Sequence, residues 1–89
     1  MSTSRVVVYS TQHCGYCHRA AELLRREGVA FEMVDVTDDR RARATLIERA
    51  NGRRTVPVIF VDDQPIGGYR ELAAMIAAGE LNRRLTSAA

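Results

Sequence analysis

With 89 residues, 46% of them hydrophobic and 27% charged, the chain has the composition of one small soluble domain spanning 1–89, near the lower size for a self-sufficient core. A net charge of +2 does not argue for nucleic acid, although it can attract an acidic small molecule. The 2 cysteines are too few for a secreted disulfide scaffold, no run approaches the ~20 apolar residues that span a bilayer, and Met1 to Arg5 is too short and polar for a signal peptide, so the expected setting is the reducing cytoplasm.

Arg5 to Ser10 is short, β-branched and bounded by polar residues, which predicts a buried strand. Cys17, Ala20, Ala21 and Leu24 follow helical spacing and predict a helix from Cys14 to Glu27, stopped at Gly28. Ala30 to Val36 reads as a second strand. Thr37 is the expected cap of the next helix, with Asp38 and Asp39 in a first turn where the helix dipole favours anions. Leu46, Ile47 and Ala50 supply its apolar face, and Asn51-Gly52 ends it. Val58 to Val61, the turn Asp62-Asp63 and Gln64 to Gly67 form a predicted hairpin. After Gly67-Gly68 a last helix carries Leu72, Met75 and Ile76 on one face and stops near Gly79. Glu80 to Leu85 reads as a further helical turn, and Thr86 to Ala89 as a frayed end. The order βαβαββα implies parallel strands at the centre and an antiparallel edge: an α/β domain with a four-stranded mixed sheet flanked by helices.

The chemistry concentrates at Cys14-Gly15-Tyr16-Cys17, where a strand hands over to a helix. Free N–H groups and the positive dipole end at a helix start favour thiolate at Cys14. Cys17 lies one turn on, on the same face and within disulfide reach. Such a pair supplies a nucleophile for thiol–disulfide exchange and its internal resolver. A zinc site normally takes four ligands, and His13 and His18 are too crowded beside the cysteines to complete one well. The plainer reading makes both histidines solvated. The run Arg40, Arg41, Arg43, Arg49, Arg53, Arg54 reads first as a solvated face, with Arg43, and after it Arg53, as the candidates for ligand contact.

Three segments together, Tyr9-Ser10 leading to Cys14-Gly15-Tyr16-Cys17, then Gly52-Arg53-Arg54-Thr55-Val56-Pro57, then Ile66-Gly67-Gly68-Tyr69-Arg70-Glu71-Leu72, resemble a glutaredoxin of the small bacterial dithiol type across nearly the whole chain. The resemblance implies a thioredoxin fold and a glutathione-dependent thiol–disulfide oxidoreductase acting on protein disulfides and glutathione mixed disulfides. It also implies a cytoplasmic monomer with glutathione as reductant and no permanently bound cofactor. Cys14 would be the nucleophile and Cys17 the resolving thiol. Tyr16, Arg43, Thr55, Val56, Pro57, Gly68, Tyr69 and Arg70 would meet glutathione, with a cis bond before Pro57, and Thr11 occupies a further position in that site.

Three positions depart from the family pattern. Thr11 stands where a lysine is usual, Gly15 where a proline is usual, and Tyr69-Arg70 where Cys/Ser-Asp is usual. Two alternatives stay open: a [2Fe–2S] carrier bridged by Cys14 of two subunits, which Gly15 permits, and exchange with another low-molecular-weight thiol such as mycothiol.

Overall fold

The computed structural model describes residues 5–87. Its elements are β1 (Val6–Ser10), α1 (Gly15–Arg26), β2 (Glu32–Asp35), α2 (Arg40–Arg49), β3 (Val58–Val61), β4 (Gln64–Gly67), α3 (Tyr69–Ala77) and α4 (Glu80–Ser87). The strands form one sheet in the order β2-β1-β3-β4. β1 and β2 are parallel, with Val8 opposite Met33. β1 and β3 are antiparallel, with Val8 opposite Ile59, and β4 adds an antiparallel edge.

Strand alternation divides the core in two. Val6, Val8, Ile59 and Val61 point to one face and pack with Ala20 and Leu24 of α1, Leu72 of α3 and Leu81 of α4. Val58 and Phe60 point to the other and pack with Leu46 of α2, with Ala50 at its C-terminal cap and with Val36. β3 is thus buried on both faces, which is why its four residues are all apolar. Each fully buried Leu or Ile contributes roughly 1.5–3 kcal/mol of transfer free energy. No helix among the described residues is long and apolar enough to cross a membrane.

Four local expectations are corrected. Asp39, not Thr37, caps α2, its carboxylate accepting the Ala42 N–H at 2.9 Å. Val36 is drawn into the core and donates its N–H to the Ser10 carbonyl, so the helix cannot open until later. Asp38 and Asp39 therefore precede the first turn. Thr37 instead accepts the Gln12 N–H at 2.8 Å and donates to Asp35, tying the loop after β1 to the end of β2. β2 is shorter than Ala30–Val36, because only Glu32 to Asp35 lie beside β1 as strand. At the C-terminus α4 runs as a full helix through Thr86 and Ser87, so the chain order gains an eighth element. Ala88 and Ala89, like Met1 to Ser4, lie outside the described residues.

Candidate active site

Parallel β1 and β2 end on one edge of the sheet, where α1 and α2 begin. β3 starts and β4 ends on that same edge. All the segments singled out for chemistry are thereby gathered at one end of the molecule. Cys14 is the N-cap of α1, and its sulfur accepts the Cys17 N–H at 3.1 Å. An N-cap position rewards a strong acceptor, and a thiolate is a stronger acceptor than a thiol. Cys14 is half-buried, whereas Cys17 is 1% exposed. A disulfide joins them, with their Cα atoms 5.2 Å apart. The exposed partner is the one an incoming disulfide can reach, and the buried partner is the one placed to close the ring.

Beside the pair lies an open cleft of about 220 Å³ lined by Tyr16, Arg53, Val56, Pro57, Tyr69, Arg70 and Glu71. Tyr16, between the two cysteines, is 56% exposed. Its ring stands 5.7 Å from that of Tyr69, and the Arg19 guanidinium lies 5.1 Å over its centre. The Val56–Pro57 peptide bond is cis. A proline there leaves no N–H to join the sheet and turns the preceding backbone toward the cleft.

At the far wall the chain bends through Gly67, at a φ of +117°, into α3. A Cβ at Gly67 would stand 2.6 Å from Glu71 Oε1, so glycine is required by both conformation and space. Gly68 caps α3 without a side chain of its own. The Glu71 carboxylate reaches back to accept its N–H at 2.6 Å, the reciprocal half of a capping box. Glu71 also pairs with Arg53 at 3.5 Å. The Gly68 N–H, and then the Arg53 charge, hold its carboxyl below the ordinary 4.5. A Cβ on Gly68 would meet the Arg53 guanidinium, so the bare backbone there makes room for that cation.

Of the residues expected from the sequence, Tyr16, Val56, Pro57, Tyr69 and Arg70 come together in the cleft wall, and Gly68 abuts it through Arg53. Thr11, Arg43 and Thr55 stand outside that lining. Arg53, ranked behind Arg43 in the sequence, lines the cleft. Glu71 was missed. Its signal was present as Gly68-x-x-Glu71, a capping pattern ahead of an apolar run. His13 and His18 are exposed. Among the described residues no three His, Cys, Asp or Glu side chains cluster as a metal site.

The glutaredoxin family model matches residues 6–66. A probable glutaredoxin of Synechocystis sp. is 40% identical over 85 residues, covering 96% of this chain and 97% of that protein. Glutaredoxin 3 of Escherichia coli is 42% identical over 79 residues, covering 89% and 94%. Among solved structures, the holo form of glutaredoxin C1 from Populus tremula x tremuloides superposes with a TM-score of 0.84 at 33% identity, covering 99% of this chain and 89% of that one. A buckwheat glutaredoxin–glutathione complex gives 0.83 at 29%, covering 94% and 78%. A helix-capping Cys-x-x-Cys disulfide on this mixed sheet, with a family match across most of the chain, leads to one conclusion: the chain belongs to the glutaredoxin family and is a thiol–disulfide oxidoreductase.

Proposed function

We propose that the reductant is glutathione and that the substrates are protein disulfides and glutathione mixed disulfides, met by a cytoplasmic monomer. The observation that carries this reading is the cleft beside Cys14, with a cis-proline wall and two arginines. Glutathione carries two carboxylates and one ammonium, so it matches a peptide-sized cleft with more cation than anion. Glu71 is the one carboxylate in the lining, and it is already engaged by Gly68 and Arg53. The buckwheat glutaredoxin of similar fold forms a complex with glutathione, which supports the same ligand here.

The Cys14 thiolate attacks one sulfur of the substrate disulfide. A Cys14–sulfur bond forms, the substrate bond breaks, and the leaving thiolate takes a proton from water. Cys17 then attacks Cys14, closing the internal disulfide and releasing the second substrate thiol. Two glutathione molecules reopen that disulfide, leaving as oxidised glutathione. In the monothiol route a second glutathione, not Cys17, releases Cys14. Val56 offers its backbone to the peptide backbone of glutathione, Tyr16 and Tyr69 wall the groove, and Gly68, Arg70, Arg43, Thr11 and Thr55 flank it.

A coupled assay of glutathione mixed-disulfide reduction tests the reading. Turnover that vanishes in Cys14→Ser is expected. A protein that turns over mycothiol mixed disulfides but not those of glutathione would refute glutathione as the thiol. Visible absorbance of protein purified without air separates an exchange enzyme from a cluster carrier.

A further inference from the structure

Positive charge in this molecule is concentrated at the redox end. Arg40, Arg41 and Arg43 lie within the first four residues of α2, Arg53 and Arg54 precede the Val56–Pro57 bend, and Arg70 is the second residue of α3. Against these six stand four carboxylates, Asp35, Asp38, Asp39 and Glu71. Arg19, over the Tyr16 ring, adds a further cation at this end, and the rest of the chain holds six arginines and seven carboxylates, so the positive excess resides here.

The fold accounts for Arg53, which pairs with Glu71, but not for Arg40, Arg41 and Arg54. The first turn of a helix favours anions, so arginines there work against the dipole of α2. Asp39, Asp35 and Glu71 are committed to the Ala42, Thr37 and Gly68 N–H groups. Among the described residues Arg53 alone of the six makes an ion pair, with Glu71. Arg49, at the other end of α2, shows what a structural arginine does here: it packs 4.7 Å over Phe60 and pairs with Asp63. Arg40, Arg41 and Arg54 are exposed and stand outside the cleft. Departures from local stability rules of this kind concentrate where a protein meets its partners.

We infer that Arg40, Arg41 and Arg54 form a docking rim that selects protein disulfides by acidic residues flanking the cystine. The inference rests on the reading that the substrates include protein disulfides. All 13 basic residues of the chain are arginine, whose planar fork holds a carboxylate bidentately. A single-sign rim around a cleft also speeds encounter with an oppositely charged partner, in a manner that salt suppresses.

The test uses two peptides, each with one internal disulfide, identical except for glutamates or lysines beside the cystine. kcat/KM is measured with glutathione and, separately, with dithiothreitol as the reductant. The wild-type protein should favour the acidic peptide by ~10-fold or more at low ionic strength, and the ratio should fall toward unity near about 0.5 M salt. The triple variant Arg40→Gln/Arg41→Gln/Arg54→Gln should lose most of the ratio while reducing a small glutathione mixed disulfide at the wild-type rate. Equal rates for the two peptides in the wild type, or a ratio that survives in the variant, overturn the inference. So does a variant that loses the small substrate as well, since the arginines would then belong to the chemistry. Equal peptide rates with salt-sensitive binding of a short single-stranded DNA assign the face to nucleic acid instead. Failure with glutathione alone refutes the glutathione reading, and the peptide ratio with dithiothreitol still decides the docking.

Discussion

The chemistry of the site is divided between two cysteines by exposure. Cys14 is half-buried at the helix cap and Cys17 is sealed beneath it. In the reduced protein Cys14 should therefore be alkylated by iodoacetamide well before Cys17, as peptide mass mapping over time would reveal. Cys14→Ser should abolish exchange, while Cys17→Ser should retain reduction of glutathione mixed disulfides by the monothiol route and lose reduction of internal protein disulfides. Full activity in Cys14→Ser would remove the proposed nucleophile. The adjacent glycines differ in an equally measurable way. Gly67 sits at a φ of +117° with Glu71 atoms where a Cβ would go, so Gly67→Ala combines backbone strain with a clash and should cost ~1–3 kcal/mol in urea unfolding. Gly68 has an ordinary φ of −106°, and its added Cβ meets mainly the movable end of Arg53. Gly68→Ala should therefore cost less stability than Gly67→Ala, yet weaken glutathione turnover by displacing Arg53 from the cleft. Equal destabilisation by the two substitutions would contradict this account.

At the scale of the element, each helix that frames the site is begun by a different acceptor: the Cys14 sulfur for α1, the Asp39 carboxylate for α2, and the Glu71 carboxylate reaching back for α3. The third couples helix start to cleft wall, because the same carboxylate holds Arg53. Glu71 has its folded pKa lowered below 4.5, so its charge adds stability that is present above that value and lost as pH falls through the lowered folded pKa. Glu71→Gln should thus be less stable than wild type at neutral pH, by roughly 0.5–1 kcal/mol, the worth of a cap interaction. The two proteins should converge in acid, below the lowered pKa. Denaturant midpoints measured from pH 7 down to about pH 3 check this, and a gap that persists unchanged in acid would assign the effect to packing, not charge.

At the scale of the whole molecule, the C-terminal helix is part of the core. Leu81 is 1% exposed among Val6, Leu24, Ile59 and Leu72. Leu81→Ala should cost ~2–5 kcal/mol, a large share of the stability of so small a domain. Thermal unfolding would register it as a fall of many degrees. At the end remote from the cysteines, Arg5 donates to both Asp62 oxygens, at 2.6 and 2.7 Å, and to the Arg84 and Leu85 carbonyls, joining the start of β1, the β3–β4 turn and α4. The Arg5 bond holds the Asp62 carboxyl below its ordinary 3.8. Its contribution is accordingly present above pH 3.8 and lost as pH drops through the lowered folded value. Asp62→Asn should loosen α4 at neutral pH, seen as faster amide exchange there, and should make little difference in strong acid.

The sequence by itself determined the family, the two cysteines, the strand and helix order through α3, and the hairpin, because apolar period and turn chemistry are local signals. The short, β-branched run Val6, Val7, Val8 and Tyr9 foretold a buried strand, and the Cys-x-x-Cys spacing placed the two thiols within disulfide reach, but only the structure showed that Val6 and Val8 face the α1 side of the sheet. The tertiary structure decided where α2 opens, because Val36 is claimed by the core before Thr37 can cap a helix. It made Glu80 to Ser87 a full helix, because Leu81 had a core to enter. It also chose Arg53 over Arg43 for the cleft wall, and gave Glu71 two partners from opposite sides of the site. These outcomes depend on residues distant in the chain meeting at one edge of the sheet, and no local pattern encodes which of six arginines will arrive beside a bare glycine.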